Sequence, residues 1–165
     1  MESTGNVESI FADLDKKVDQ LFEYQLVMTS YQSVKRDYGT GIYLSEMEAH
    51  ILLYIECEPG ITAKEIAKMT HRTKGTISIL ISSLEKHGLI TQQVNPQNRR
   101  ERNLYLTGSG QETCLKHRAY DRKTTMEIIL WLSKDCVPEE INGFFKVLNL
   151  RTAYFNKIIE EEKNK

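Results

Sequence analysis

The sequence predicts a mainly α-helical protein with one small β-hairpin wing, and three observations carry that reading. Apolar residues recur at helical spacing through most of the 165-residue chain. A single pair of short strand-like segments, 89–94 and 102–106, flanks turn chemistry at Asn95-Pro-Gln-Asn98. Positive charge is gathered in the middle. From Thr62 to Thr107 stand Lys64, Lys68, Arg72, Lys74, Lys86, Arg99, Arg100 and Arg102 against Glu65, Glu85 and Glu101, a net +5 in a chain of net charge −1. A basic centre between acidic ends suits a polyanion-binding head on a different kind of scaffold, although a solvated mixed-charge surface shows the same arithmetic.

The elements follow in order. Val7, Ile10, Phe11, Leu14, Val18, Leu21 and Phe22 lie on one helical face, and the pattern continues through Leu26, Val27 and Tyr31 until Gly39-Thr-Gly41 breaks it. Ser45-Glu-Met-Glu48 has the form of a capping box, with Ile51, Leu52 and Ile55 as the buried stripe behind it. Glu58-Pro59-Gly60 ends that helix. Thr62 caps a short helix with Glu65 as its partner, and Ile66, Ala67 and Met69 face inward. Thr73 caps a longer helix whose core face is Ile77, Leu80, Ile81 and Leu84, and Gly88 closes it because glycine tolerates left-handed geometry. Leu89–Val94 and Arg102–Leu106 then pair as a hairpin with a basic tip.

After Gly110 the chain returns to helix as far as Trp131-Leu132. Pro138 suits the first turn of a last helix, where Glu139 and Glu140 favour the positive end of the dipole. Ile141, Phe144, Phe145, Leu148, Phe155, Ile158 and Ile159 form its apolar stripe, and Glu160 to Lys165 reads as a frayed tail.

Two short helices joined by a tight turn and followed by a hairpin form a winged helix-turn-helix. A helix fits the major groove of DNA, and a thin β-ribbon reaches the neighbouring minor groove or phosphates. The face of the 73–87 helix that the core does not use carries Lys74, Gly75, Ser78, Ile79 and Ser82, small and polar enough to approach a duplex. Taken alone it is equally an ordinary exposed face.

Order and spacing add to this. Ile66-Ala67, Thr73-Lys-Gly-Thr-Ile-Ser78, Leu84-Glu-Lys-His-Gly-Leu-Ile90, Asn95-Pro-Gln-Asn-Arg-Arg100, then Leu104-Tyr-Leu-Thr107 and Gly110 resemble, in sequence and without a gap, the MarR family of bacterial transcriptional regulators. The resemblance covers Leu44 to Gly110. It implies a homodimeric, sequence-specific DNA-binding protein, a repressor on a pseudo-palindromic operator, with 44–110 as the reading head and 1–38 and 111–165 as dimerisation helices. The implied DNA-binding residues are Thr73, Lys74, Gly75, Thr76, Ser78 and Ser82 on the helix, with Arg100 in the minor groove, Arg99 on phosphate, and Arg102. Two departures stand out. The family's wing carries aspartates where this chain has Asn95 and Asn98, and Ile79 replaces a residue that is polar or basic in many relatives.

The resemblance also implies a small aromatic or lipophilic effector between the dimer helices and the head, for which Tyr24, Tyr31, Tyr43, Tyr54 and Trp131 are candidate walls, though aromatic residues are more often core. A zinc-responsive branch of the family provides a second alternative, with Glu23, His50, His117 and Asp121 as ligands; His117 and Asp121 share a helix face at i, i+4. No metal or cofactor is favoured. Cys57, Cys114 and Cys136 form no Cys-x-x-Cys pair, so neither a disulfide framework nor a zinc finger is expected, and Cys57 and Cys114 read as small buried hydrophobes. No catalytic constellation emerges, so an enzyme is not expected. Without a signal segment or membrane-length apolar run, the expected setting is the cytoplasm and not a membrane. The alternative from another class is a winged-helix module for protein contacts.

Overall fold

The computed structural model describes residues 11–96 and 98–163; Val7 and Ile10 of the expected first helix, Gln97 of the wing turn, and Asn164 and Lys165 lie outside the described residues. In chain order the elements are α1 (Leu14–Ser33), β1 (Arg36–Asp37), β2 (Tyr43–Leu44), α2 (Glu46–Cys57), α3 (Ala63–Met69), α4 (Lys74–Lys86), β3 (Ile90–Val94), β4 (Arg102–Leu106), α5 (Gly108–Leu132) and α6 (Pro138–Lys163). The chain forms two compact units, Met1–His117 and Arg118–Lys165, which divide α5 between them. No helix among the described residues is long and apolar enough to cross a membrane.

The first unit holds the core. Leu44, Ile51, Leu52, Ile55, Ile61, Ile66, Ile77, Leu84, Leu89, Ile90 and Leu104 are all essentially solvent-free, so α2, α3, α4 and the wing hairpin share one apolar centre. Both expected capping boxes form. The Ser45 hydroxyl accepts from the Glu48 amide while Glu48 accepts from the Ser45 amide, and Thr62 and Glu65 do the same for α3. Thr73 caps α4 by accepting from the Thr76 amide. Gly88, at φ +70°, lets the chain leave α4 and enter β3.

Where the sequence shows only a break at 39–41, the chain makes a two-stranded ribbon in the register Arg36↔Leu44 and Asp37↔Tyr43. One oxygen of Asp37 accepts the amides of Gly39, Thr40 and Gly41 at 2.8–2.9 Å. The Gly39 amide holds the Asp37 carboxyl below its ordinary value despite the opposing effect of burial, with the Thr40 and Gly41 amides and Lys116 adding to it.

The wing is an antiparallel hairpin running from Ile90↔Leu106 to Val94↔Arg102. Its root has a third edge: the Gly60 amide donates to the Leu104 carbonyl (2.8 Å), the Leu104 amide donates to the Ile61 carbonyl (3.1 Å), and Thr62 bridges Asn103. At the foot of the hairpin Thr107 extends the ladder: its amide donates to the Leu89 carbonyl, and its hydroxyl donates to that of Gly88. Gly110 packs against the same Leu89 carbonyl so closely that a Cβ there would be driven into it. Thr107 and Gly110 thus weld the start of α5 to the start of β3.

Three expectations need correction. Met69 is 50% exposed rather than facing inward; α3 spans barely two turns, and its buried arc is covered by Ile66 and Ala67, leaving Met69 about 110° off its centre. Cys57 is exposed whereas Cys114 is buried, because Cys57 stands two residues past the buried Ile55, about 200° round the helix. The last helix runs through Lys163 instead of fraying from Glu160, with Lys157 and Glu161 paired at i, i+4 and Lys163 at the negative end of the dipole.

In the second unit, residues 118–132 of α5 lead through a short turn to α6, whose start is capped by the Glu140 carboxylate accepting from the Val137 amide. Neither α1 nor α6 buries a single described residue. Val18, Phe22 and Val27 on α1 are about 60% exposed, and Phe144, Leu150 and Tyr154 on α6 exceed half exposure.

Candidate nucleic-acid interface

α4 turns two different faces outward and inward. Ile77, Ile81 and Leu84 are buried, while Lys74, Gly75, Thr76, Ser78, Ile79 and Ser82 are exposed. The hydroxyls on this outer face are not equivalent. Thr73 and Thr76 share a 2.9 Å contact at the helix start, and Ser82 donates to the Ser78 carbonyl at 2.9 Å. Thr73, Thr76 and Ser82 therefore shape the helix surface, and Lys74 supplies its charge.

The wing tip presents Arg99, Arg100 and Arg102, all exposed. Its two asparagines act on the turn itself: Asn95 accepts from the Asn98 amide and Asn98 accepts from the Arg100 amide, both at 3.2 Å. These bonds set the backbone of the tip. α4 and the wing belong to the same unit and are joined through Gly88 and Leu89, so the helix face and the arginine tip are mounted on one core.

Behind α4 lies a cavity of about 460 Å³ lined by residues of α1, α2 and α4 and by Arg72 of the α3–α4 turn. Thr76 and Leu80 form its α4 wall, facing Met47, His50 and Tyr54 of α2. Of the four candidate tyrosines only Tyr54 lines this space; Tyr24, Tyr31 and Tyr43 are 40–62% exposed, and Tyr31 lies under the Arg36 guanidinium at 4.1 Å. Trp131 lies in the second unit and is exposed.

One wall of the cavity continues into a cluster of metal-ligating groups. Glu46, His50 and His117 each offer a donor atom within 4.8 Å of the other two. Oε1 of Glu46 lies 3.6 Å from Nδ1 of His50 and 4.0 Å from Nε2 of His117, while its Oε2 faces Arg36 at 3.8 Å. The His50 and His117 rings meet edge to face, and Tyr38 packs the same way on the buried His117. The structure thus brings His50 and His117 together, but the third member among the described residues is Glu46, not Glu23 or Asp121. Glu46 stands four residues before His50, an i, i+4 spacing visible in the sequence, but its place beside the capping Ser45 already accounts for it at the start of α2.

Glu48 is a further residue whose role the sequence shows only in part. It is 2% exposed, and beyond capping α2 it accepts a 2.7 Å hydrogen bond from Ser83 of α4 and lies 3.7 Å from the Lys35 ammonium. Burial pushes its carboxyl up, but the Ser45 amide, the Ser83 and Ser45 hydroxyls and Lys35 together outweigh that and hold it below the ordinary value.

The comparisons with known proteins agree with this geometry. The MarR family model matches residues 44–101. Among solved structures, the transcriptional regulator SlyA superposes with a TM-score of 0.68 at 19% identity, over 84% of this chain and 95% of that one. FabT of Streptococcus pneumoniae, solved in complex with DNA, gives 0.63 at 22%, over 90% and 99%. ZitR of Lactococcus lactis, a zinc-responsive MarR family member, gives 0.63 at 18%, over 86% and 99%. No curated protein sequence matches the chain. Identities this low speak for the fold alone. Residues 44–101 thus match the MarR family model, and the chain has the fold of the MarR family transcription regulators it superposes on.

Proposed function

We propose that the protein is a homodimeric, sequence-specific DNA-binding repressor that places α4 in the major groove and the wing arginines in the minor groove of each half of a pseudo-palindromic operator. The observation that carries this reading is the pairing, on one compact unit, of an exposed small and polar α4 face with a tip of three exposed arginines. FabT, which shares the fold, was solved in complex with DNA. Dimerisation is supported by α1 and α6, whose apolar stripes are unburied in the single chain; a two-fold partner covers such stripes and presents two reading heads at once. The cavity behind α4 suits a small effector, since Thr76 and Leu80 would feel its occupant directly.

The test is selection from randomised duplex DNA followed by footprinting, with light scattering on the same preparation. Enrichment of a two-fold-related site by a particle of twice 19.1 kDa is the expected result. A 19.1 kDa particle at micromolar concentration overturns the dimer. A pool that never enriches leaves the protein-interaction reading in its place.

The Glu46, His50 and His117 cluster favours a second reading, in which zinc is the effector. One carboxylate and two imidazoles are a fitting donor set for zinc, which binds them at about 2.0–2.2 Å, so the three donors would close in from their present spacing. Glu46 and His50 also line the cavity, from which water could complete the coordination. Calorimetric titration with zinc should then give one site per chain in the unmutated protein and none in His117→Ala. Absence of a zinc heat in the unmutated protein removes this reading without touching the first.

A further inference from the structure

Ile79 is the most exposed large apolar side chain among the described residues, at 73%. A single exposed isoleucine is ordinary on a protein surface, so its meaning depends on where it stands. The other strongly exposed apolar residues are mostly grouped in the stripes of α1, α5 and α6, where a second chain can cover them together. Ile79 instead stands at the centre of the outer face of α4, among Lys74, Gly75, Ser78 and Ser82. A lone apolar group on a polar face is too small for a protein-docking patch.

Gly75 supplies an independent observation. It lies one turn before Ile79, as the second residue of α4. Nothing in the chain demands it: a Cβ there would meet only the Thr73 hydroxyl, at 3.9 Å. Helical side chains lean towards the amino terminus over the preceding turn, so Ile79 overhangs the bare backbone of Gly75. The outer face of α4 therefore sets one exposed apolar side chain beside a residue without one. As a β-branched residue in a helix, Ile79 is held in one strongly preferred rotamer, so little freedom is lost when it is covered.

The major groove offers one apolar group on its base edges, the C5-methyl of thymine; every other feature there is a hydrogen-bond donor or acceptor. Ile79 can give nothing to a donor or acceptor and would strip it of water. Resting on the DNA-binding reading above, we propose that Ile79, seated over Gly75, is a specificity-determining residue that selects a thymine methyl at one position of each half-site.

The test removes that methyl and nothing else. Using the duplex most enriched from a randomised pool, each thymine of one half-site is replaced in turn by deoxyuridine, and affinity is titrated for the full chain and for Ile79→Ala. Binding of the unmutated protein should weaken about fourfold at one thymine, the weight of one buried methyl-sized group. At that position Ile79→Ala should bind the thymine and uracil duplexes equally well. Because Ile79 is exposed, the variant should keep its fold, which circular dichroism checks. A selected site that tolerates uracil at every position overturns the proposal while the DNA-binding reading stands. Equal methyl sensitivity in both proteins also overturns it, since another residue then reads the methyl. Failure to select any sequence overturns both together.

Discussion

The hydroxyl of Ser83 on α4 donates a 2.7 Å hydrogen bond to Oε1 of Glu48 on α2, joining residues 35 positions apart. The other oxygen of Glu48 is occupied by the Ser45 amide and hydroxyl, with the Lys35 ammonium near it. One buried carboxylate therefore fixes the start of α2, the turn after α1 and the carboxyl-terminal half of α4. Glu48→Ala should cost about 1–3 kcal/mol, combining the lost cap with a part-buried hydroxyl left without its partner. Ser83→Ala should cost less, and adding it to Glu48→Ala should cost nearly nothing more. Chemical denaturation of the two single variants and the double variant measures the coupling; additive losses would show that the bond contributes nothing.

Gly110 fails for a different reason. The backbone of α5 touches the Leu89 carbonyl, and no side chain fits between them. Gly110→Ala should destabilise the protein by about 1–3 kcal/mol through overpacking, despite alanine's better helix propensity. A thermal melt showing an unchanged or raised midpoint would refute the close approach. Gly143 of α6, with nothing near its missing Cβ, is the control, where alanine should be neutral or stabilising.

Acid should unfold the protein from a predictable side. Asp37, Glu48 and Glu65 all have folded-state values below their ordinary ones; for Glu65 the Thr62 hydroxyl is the main cause, followed by the Thr62 amide. Below the ordinary glutamate value of 4.5 the unfolded chain binds protons that the folded chain resists. Stability is therefore complete above that pH and falls as the pH drops through the lower folded values. Melting midpoints between pH 6 and pH 3 should decline, and Glu65→Gln should shallow the decline. A steeper acid dependence in that variant would contradict the assignment.

For the wing, the proposed minor-groove contact makes Arg100 the most informative position. Arg100→Ala should weaken operator binding by about 1–3 kcal/mol if the guanidinium reaches base edges. It should also flatten the dependence on salt, since one fewer counterion is released. Titrations at several salt concentrations on operator and scrambled DNA check both effects. Unchanged affinity and slope on both duplexes would mean that the tip does not touch DNA.

What the sequence made legible was local. Capping boxes at Ser45 and Thr62, the turn at Gly88 and the strand Arg102–Leu106 depend on residues within a few positions of each other, and each forms as the spacing suggests. What escaped were meetings between distant segments. The ribbon 36–44 is held by amides converging on Asp37, which no hydrophobic period announces. Glu46 meets His117 across 71 positions, and Glu48 meets Ser83 across 35; each glutamate already had a sufficient local explanation at the start of α2. The four candidate tyrosines show the same limit, since only Tyr54 faces the cavity and helical spacing does not say which side of a helix a neighbour will cover.

The third edge at the foot of the wing has a consequence for the DNA that the protein can accept. Residues 60–62 pair with Asn103 and Leu104 along the edge of β4, while Thr107 and Gly110 clamp Leu89 at the foot of the hairpin. A ribbon paired along the β4 margin and tied down at its foot is held at its base by two separate segments of the chain. Under the proposed DNA-binding reading, the interval between the bases facing α4 and those facing the arginines is then set by the protein. An operator with one base pair inserted between the two contacts should lose one of them outright, while the same insertion outside that interval should not.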